Sequence, residues 1–392
     1  MRKQTDFEAE LGRIERDLSE VAGGGRDARA DGESRTRFAY LLYRRGSLTG
    51  DLAELERAGA AVELAIPRVA NPADLYFLKA NLDFNFHRLA DVRRDLEASP
   101  ELRDSPQGRA LRADLDFQEG RYEEARAGYE RLVGEDPAWD DFARLAHFHF
   151  KLGDDDSAER LYARAEDELT AKEMRHFAWV ELQRGLLDLS RGRYDDAQSH
   201  YERAGRAYSG YWQVEEHTAE LLGARGRFEE ALALYHRVVE RVPRPEFMQA
   251  LGELYEFAGR PESALPWYER ALGAYLEAAR RGGVHYYHHL ADFYSDVRED
   301  GAEAVRWASK DMALRENFST QAALAWALYR GGRYDEAREL MDRSLSSGVA
   351  DARLFSQAAA IYQAAGDRGE AERRRHMAAQ VNPHHSNFHV HR

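Results

Sequence analysis

A short motif that begins with glycine recurs along this chain at intervals of about 34 residues. A fixed period of about 20 to 50 residues is the signature of a repeat architecture, in which each repeat packs mainly on its neighbours. The 392 residues are therefore predicted to form one array of about nine to ten repeats, instead of two or three separate globular domains. The copies of the motif begin at Gly120, Gly153, Gly192, Gly226, Gly259, Gly332 and Gly366.

Each repeat is predicted to be a pair of short helices. The glycine ends the first helix, because a left-handed residue is least strained there when it has no Cβ atom. The acidic pair that follows lies in the first turn of the second helix, where negative charge complements the helix dipole. Two further copies keep the phase without the glycine, at His87 and Glu299, and a degenerate copy is predicted to start near Gly46. The pattern therefore predicts an all-α fold.

A second part of the motif points to a family. A leucine followed by alanine or glycine stands about eight residues before the turn glycine, as in Leu145-Ala146, Leu251-Gly252 and Leu324-Ala325. Over roughly residues 73 to 383, the chain resembles the tetratricopeptide repeat family. The resemblance implies a right-handed α-solenoid whose first helices line a concave groove that holds a peptide or a partner helix. It implies binding and not catalysis.

The position of the repeats divides the chain into three predicted segments. Residues 1–34 hold an amphipathic capping helix and a linker, residues 35–383 the tetratricopeptide-like solenoid, and residues 384–392 a histidine-rich tail. An apolar stripe on the first helix favours capping of the open end of the solenoid. Self-association of residues 7–21 as a short coiled coil is the alternative, and the acidic flanks disfavour a membrane surface. The stripe consists of Phe7, Leu11, Ile14, Leu18 and Val21.

Composition narrows the classes of function. The chain has no cysteine, which excludes disulfides, cysteine-ligated zinc, iron–sulfur clusters and thiol nucleophiles. Its formal charge of −14 disfavours nucleic acid as a partner, and it has no run of about 18 apolar residues that would predict a membrane span. No signal-peptide pattern is visible, so the cytoplasm is the predicted location. Phosphate-binding P-loop, HExxH and GxSxG motifs are also absent. We predict a protein that is not an enzyme and needs no cofactor.

The family frame assigns several acidic and histidine side chains to the concave groove. Carboxylates in a groove attract an Arg- or Lys-rich segment, and charge-assisted hydrogen bonds fix its orientation. We therefore predict a basic peptide or partner segment as the ligand of an interaction scaffold. The alternative is that these side chains are the solvated faces of helices in an acidic protein. The predicted contact residues are Glu216, Glu220, Glu253, Glu256, His285, His288 and Asp292.

Histidines support a second, different hypothesis, in which the chain is a metal carrier or a metal-dependent enzyme. Imidazole and carboxylate groups three and four residues apart on one helix suit a divalent metal such as zinc or nickel. The histidine-rich tail is metal-prone by composition. For the tail, the alternative is that Phe388 and Val390 anchor it against the last helix and leave the imidazoles as exposed polar groups. The candidate ligands are His285, His288, His289, Asp292, His384, His385, His389 and His391.

Overall fold

A computed structural model describes residues 4–23 and 32–390. Within these ranges the chain forms 22 α-helices and no strand, which confirms the predicted all-α solenoid of helix pairs. Every helix of this described part is too short or too polar to cross a lipid bilayer. The helices are α1 (Asp6–Gly23), α2 (Gly32–Thr49), α3 (Leu52–Ala65), α4 (Ala73–Asn85), α5 (Leu89–Ala98), α6 (Pro100–Asp104), α7 (Pro106–Gln118), α8 (Tyr122–Glu135), α9 (Trp139–Lys151), α10 (Asp155–Asp167), α11 (Met174–Ser190), α12 (Tyr194–Ala207), α13 (Trp212–Ala224), α14 (Phe228–Arg241), α15 (Pro245–Phe257), α16 (Pro261–Arg280), α17 (Tyr287–Asp292), α18 (Gly301–Leu314), α19 (Phe318–Arg330), α20 (Tyr334–Leu345), α21 (Ala352–Ala364) and α22 (Arg368–Val381).

The turns between paired helices have the geometry that the motif predicts. All seven turn glycines have positive φ angles, between 72° at Gly226 and 87° at Gly366. The two copies without glycine adopt the same conformation, with φ of 56° at His87 and 52° at Glu299. At Gly120, the next N–H group, that of Arg121, donates to the Asp116 carbonyl at 2.8 Å and closes the helix end. The repeat phase is therefore confirmed at both non-glycine positions.

The degenerate copy near Gly46 has a different turn from the one predicted. Gly46 lies inside α2, and the residue with positive φ is Gly50, at 75°. A Cβ atom at Gly46 would lie 2.8 Å from Leu55 Cδ2, so this glycine allows α2 and α3 to pack closely. The prediction mistook a packing glycine for a turn glycine.

The chain divides into two compact units. The first unit contains residues 1–113 and 208–211, and the second contains residues 114–207 and 212–392. Within the first unit, α1 packs along α2, and the Phe7 N–H group donates to the Ser209 carbonyl at 3.1 Å. Phe7, Ile14 and Leu18 of the predicted apolar stripe are buried, whereas Leu11 and Val21 are half-buried. The linker predicted after this helix lies largely at residues 24–31, outside the described residues. Self-association of residues 7–21 stays a prediction.

The second unit repeats one packing arrangement. A tyrosine on each of several second helices is buried against the small residue of its first helix, and a Cβ atom at Gly252 would lie 2.6 Å from the Tyr268 ring. The same close approach joins Gly185 and Tyr201. The small residue of the repeat therefore sets how near the two helices come, because any larger side chain would push the tyrosine out of the core.

Repeats that are far apart in sequence also meet within the second unit. The Ala350 N–H group donates to the Lys151 carbonyl at 3.1 Å, and the Asn317 side-chain amide donates to the Gln118 carbonyl at 2.8 Å. Each contact joins segments about 199 residues apart, which is close to six repeats. The array of this unit therefore coils back on itself, so that side chains on its first helices face one another.

Candidate functional site

The first helices of the second unit share a face on which side chains from non-neighbouring repeats meet. Arg353, at the start of α21, places its guanidinium 3.3 Å from Asp292 and 3.0 Å from Asp296. Between them in the chain, the Trp326 indole N–H on α19 donates to Asp296 at 2.8 Å. We call this surface, formed by α13, α15, α17, α19 and α21, the inner face. Asp292, one of the predicted contact residues, is on it and already has a cationic partner.

Two of the predicted acidic contact residues are buried. Glu216 has 1% of its surface exposed and Glu220 has none. The Tyr235 hydroxyl donates to Glu216 at 3.1 Å, and the His217 Nδ1 atom lies 2.7 Å from the same carboxylate. The prediction that these carboxylates line an open groove is wrong: α14 covers Glu216, and the C-terminal segment covers Glu220. Burial and the two carboxylates raise the pKa of Tyr235 well above its ordinary value.

The other predicted acidic pair, on α15, is more accessible. Glu253 is half-buried and accepts a hydrogen bond from the Gln249 side chain at 2.9 Å, while Glu256 is exposed one turn later. The negative charge of Glu253 also acts on Arg353 of α21, so Glu253 belongs to the inner face. This pair is the part of the predicted acidic groove that a partner can reach.

The histidine segment is not one regular helix. A 3₁₀ turn (Val284–Tyr286) precedes α17, and a π-helical turn (Phe293–Val297) follows it. His285 lies in the 3₁₀ turn, where its ring packs on that of Tyr286 with 4.1 Å between centroids. The regular α-helix that the prediction assumed starts only at Tyr287, and the two histidines contact different neighbours, His285 the Tyr286 ring and His288 the Asp311 carboxylate.

His288 is held between two carboxylates of its own chain. Its ring nitrogens lie 3.5 Å from Asp292 and 3.5 Å from Asp311, and Asp311 is almost fully buried. Burial alone would lower the pKa of His288, but these two carboxylates outweigh it and the pKa is raised. Burial would raise the pKa of Asp292, but Arg353 and His288 hold it below its ordinary value. These charges stabilise the second unit internally.

The candidate metal ligands are not gathered around one point. His289 stacks on the Tyr275 ring, with centroids 5.5 Å apart and planes 9° apart, and its pKa is lowered chiefly by burial. It thus contacts a different neighbour from His288, which faces Asp292 and Asp311. Among the described residues, no group of three or more histidine, aspartate or glutamate side chains is arranged to hold a metal ion. His391 lies outside the described residues. The donor geometry does not fit the zinc or nickel site considered from the sequence.

The C-terminal segment after α22, residues 382–390, is ordered against the inner face, and we call it the tail. Phe388 is 1% exposed, and its ring lies 5.6 Å from that of Phe257 and 6.2 Å from that of Tyr235. Phe388 therefore does anchor the tail, as one alternative predicted. Its anchor point is on α13, α14 and α15, however, and not on the last helix α22.

Hydrogen bonds fix the backbone and polar groups of the tail. The Val390 N–H group donates to Glu220 at 2.6 Å, and the Asn387 side-chain amide donates to the Ala224 carbonyl at 2.8 Å. His389 lies 3.6 Å from the same Glu220 carboxylate. Residues 383–386 of the tail form a turn, and the residues after it place an imidazole and a backbone N–H group against a buried carboxylate.

The remaining tail histidines contact separate parts of the protein. His384 packs on the Tyr194 ring, with centroids 5.3 Å apart, and His385 Nδ1 lies 3.2 Å from the Ser356 hydroxyl. The three described tail imidazoles, His384, His385 and His389, therefore have different neighbours. They bind the tail to the protein and do not converge on one another.

A cavity of about 210 Å³ lies further along the interior of the second unit. Four cationic side chains line it, against the two carboxylates Asp292 and Asp351; the cations are Lys151, Arg191, Arg315 and Arg353. Burial lowers the pKa of Lys151 and, with Lys151 nearby, lowers that of His147 to about 3. The interior is therefore not acidic throughout: its accessible carboxylates lie toward α15.

The sequence interpretation missed the two residues that most change the site. Arg353 pairs with Asp292, 61 residues away in the chain, and with Asp296, 57 residues away. The sequence offered only one sign of this pairing, an arginine at the start of a first helix. Gly223 opens the space that Phe388 fills, since a Cβ atom there would lie 2.4 Å from Phe388 Cδ1. That glycine was visible as an exception to the repeat, although its partner was not.

Comparison with known proteins supports the repeat interpretation. Residues 217–279 and residues 319–343 each match a sequence profile described as tetratricopeptide repeat. No curated protein matches the chain. The first matched segment contains α14 and α15, and thus part of the surface that the tail covers.

Several solved structures are similar to this chain. The Cut9–Hcn1 hetero-tetramer of the APC/C is 15% identical, with 88% of this chain and 74% of that chain covered and a TM-score of 0.45. Yeast Tom70 is 11% identical, with 96% and 91% covered and a TM-score of 0.43. A tetratricopeptide repeat protein from Parabacteroides merdae is 15% identical, with 74% and 98% covered and a TM-score of 0.35.

Proposed function

We propose that this tetratricopeptide repeat protein is a non-catalytic interaction scaffold that holds a cationic peptide segment of a partner protein on its inner face. The repeats and their arrangement support protein binding as the general function. The cationic character of the partner is inferred from the carboxylates on α15. A cytoplasmic location stays a prediction.

One observation carries the choice of a cationic partner. The groups that reach inner-face carboxylates from distant parts of the chain are donors: the Arg353 guanidinium at Asp292 and Asp296, and the Val390 N–H group at Glu220. On this surface, N–H groups from distant parts of the chain donate to carboxylates. The same carboxylates are complementary to arginine, lysine and peptide N–H groups of a partner.

Glu253 and Glu256 are the carboxylates best placed to contact that partner. Glu216 and Glu220 are buried, and Asp292 is paired with Arg353. Glu256 is exposed and Glu253 half-buried, one helical turn apart on α15. Two carboxylates at this spacing present a patch that one arginine or lysine side chain can span.

Charge reversal tests this proposal. The probe is a fluorescein-labelled nine-residue peptide of alternating arginine and serine, titrated by anisotropy against the full chain. The double variant Glu253→Lys/Glu256→Lys should bind it at least tenfold more weakly, a loss on the order of 1.4 kcal/mol. The wild-type affinity should fall with added salt, and the variant should show a smaller salt dependence, because exposed charge pairs are screened.

A matched control separates a local contact from the overall charge. Glu56→Lys/Glu63→Lys makes the same change of charge at two exposed positions of α3, on the first unit. It should leave the affinity within about twofold of the wild type, since neither position belongs to the inner face and the change in overall charge is the same. Equal losses in both double variants, or equal binding of a peptide with glutamate in place of arginine, would refute the proposal.

A further inference from the structure

The tail is seated in a recess that the repeat itself does not require. Gly223 lies three residues before the turn glycine Gly226. At this position the other six copies of the motif carry larger side chains, namely Phe117, Phe150, Leu189, Glu256, Tyr329 and Gln363. The glycine that packs against a second-helix tyrosine occurs four residues earlier in the repeat, as at Gly185 and Gly252. Gly223 is therefore an exception that leaves one side-chain volume empty on α13.

Phe388 fills that volume. A Cβ atom at Gly223 would lie 2.4 Å from Phe388 Cδ1 and 3.2 Å from Leu254 Cδ1, so no other residue at 223 leaves room for the ring in its present position. Tyr235 and Phe257 form edge contacts with the Phe388 ring. Edge-to-face aromatic contacts of this kind add specificity to the burial of apolar area.

Polar groups around the recess contact the residues on either side of the phenylalanine. The Ala224 carbonyl, near the end of α13 where helix carbonyls lack a partner within the helix, accepts from the side chain of Asn387. On the other side, Glu220 accepts from the Val390 N–H group and lies beside His389. The recess thus combines one aromatic pocket, one carbonyl acceptor and one buried carboxylate along residues 387–390 of the tail.

We propose that this recess, formed by Glu220, Gly223, Ala224, Tyr235 and Phe257, is a peptide-recognition site, and that the chain's own tail is its intramolecular occupant. The partner segment that it fits carries asparagine, phenylalanine, a basic or imidazole residue and then a residue with a free N–H group, as residues 387–390 do. Such a segment must displace the tail in order to bind. This inference deepens the proposed function and rests on it only for the existence of a partner.

Competition between the tail and a free peptide tests the inference. The probe is a labelled peptide of residues 382–390, amidated at its C-terminus so that no added carboxylate faces Glu220. In the full-length wild type, the attached tail acts at an effective concentration on the order of 1 mM. The full-length variant Phe388→Ala should therefore bind the probe about tenfold more tightly than the wild type, because its own tail competes poorly.

Two changes show whether the recess itself holds the probe. A probe with alanine in place of phenylalanine should bind the Phe388→Ala chain at least tenfold more weakly. Adding Gly223→Ala to that chain should remove binding of the original probe, whereas adding Gly273→Ala should not. Gly273 is an exposed glycine on α16, and a Cβ atom there would have no neighbouring atom within 4 Å. The substitution at 273 therefore matches the helix effect of the one at 223 without filling a recess.

A second releasing variant covers the case in which Phe388→Ala does not fold. Val390→Pro keeps the aromatic ring and removes the N–H group that donates to Glu220, while the proline ring also fixes the φ angle of residue 390. It should bind the probe about threefold more tightly than the wild type. Equal binding to the wild type and to a folded releasing variant would overturn the inference, as would binding that survives Gly223→Ala.

The oligomeric state distinguishes an intramolecular tail from a tail exchanged between copies. Sedimentation should give a monomer for the wild type and for Phe388→Ala at the concentrations of the titration. A wild-type dimer that dissociates in Phe388→Ala would place the tail of a second copy in the recess and would overturn the intramolecular assignment. Loss of arginine-peptide binding in Glu253→Lys/Glu256→Lys is measured with a different probe, so either proposal can fail without the other.

Discussion

Glu220 on α13 and Glu253 on α15 occupy the same position of two consecutive repeats, six residues before the turn glycine. Glu220 is fully buried and accepts a hydrogen bond from the Val390 N–H group of the tail. Glu253 is half-buried and accepts from Gln249 on its own helix. One turn further on, the same two repeats carry Gly223 and Glu256, and only the glycine leaves room for Phe388. Equivalent positions of a repeat therefore do not have equivalent exposure, because a segment outside the repeat covers one of them.

This difference separates two kinds of recognition on one face. At α13, a carboxylate with an aromatic pocket beside it contacts the backbone and the Phe388 side chain of the tail, and we propose that a partner peptide can take the same place. At α15, the accessible carboxylates are proposed to attract cationic side chains of a partner through charge interactions that salt screens. The tail already occupies the recess at α13, whereas Glu256 at α15 is exposed.

Removal of each carboxylate should have its largest effect at Glu220. Glu220→Ala deprives the Val390 N–H group of its acceptor and leaves space where the side chain was buried, at a cost of about 2 kcal/mol in the free energy of unfolding. Glu253→Ala should cost no more than about 0.5 kcal/mol, as surface substitutions usually do. Urea unfolding measures both. Equal costs would mean that the two positions do not differ in the way described.

Filling the recess should reverse the sign of an otherwise stabilising substitution. Gly273→Ala on α16 should raise the free energy of unfolding by about 0.5–1 kcal/mol, because alanine favours the helix over glycine. Gly223→Ala has the same helix effect but forces Phe388 out of its position, and overpacking costs about 1–3 kcal/mol. We expect a net loss at 223, measured by urea unfolding, and a net gain there in the Phe388→Ala chain. A gain at 223 in the wild-type chain would contradict the recess.

Asp292 differs from Glu253 because it lies beside His288 and Arg353 of its own chain. This difference should give a smaller effect, seen in how the free energy of unfolding depends on pH. The pKa of His288 is raised in the folded chain by Asp292 and Asp311 against the effect of burial and of Arg315. A raised folded pKa gives stability that is complete below the ordinary histidine pKa of about 6.5 and is lost as pH rises through the folded pKa.

The variant His288→Gln isolates this contribution. The stability advantage of the wild type over His288→Gln should shrink between pH 6 and pH 9 in urea unfolding. Glu253→Gln should show no comparable change over the same range. An advantage that grows with pH would mean that His288 is neutral in the folded chain and that Asp292 depends on Arg353 alone.

The fold was largely predictable because it depends on local rules that recur. The turn residue with a left-handed conformation recurs about every 34 residues and is visible wherever it is a glycine. The spacing of the repeats also predicted the two turns that have His87 and Glu299 at this position. Gly46 was misread because one glycine can serve a turn or a close helix contact, and only the position of Leu55 decides between them.

The site was predictable only in part, because its decisive contacts join distant segments. Glu220 and Val390 are 170 residues apart, and Arg353 and Asp292 are 61 apart. The family frame places a side chain on the first-helix face but does not reveal what covers that face. The 3₁₀ turn before α17 also places His285 outside the regular α-helix that the histidine predictions assumed.

Amide hydrogen exchange measures directly whether the inner face holds residues 382–390 in the free protein. The Val390 N–H group, bonded to the buried carboxylate of Glu220, should exchange roughly 100-fold more slowly than in an unfolded chain, and Phe388→Ala should abolish most of this protection. Exchange of the Val390 N–H group at the unfolded rate in the wild type would mean that the tail does not occupy the recess in solution.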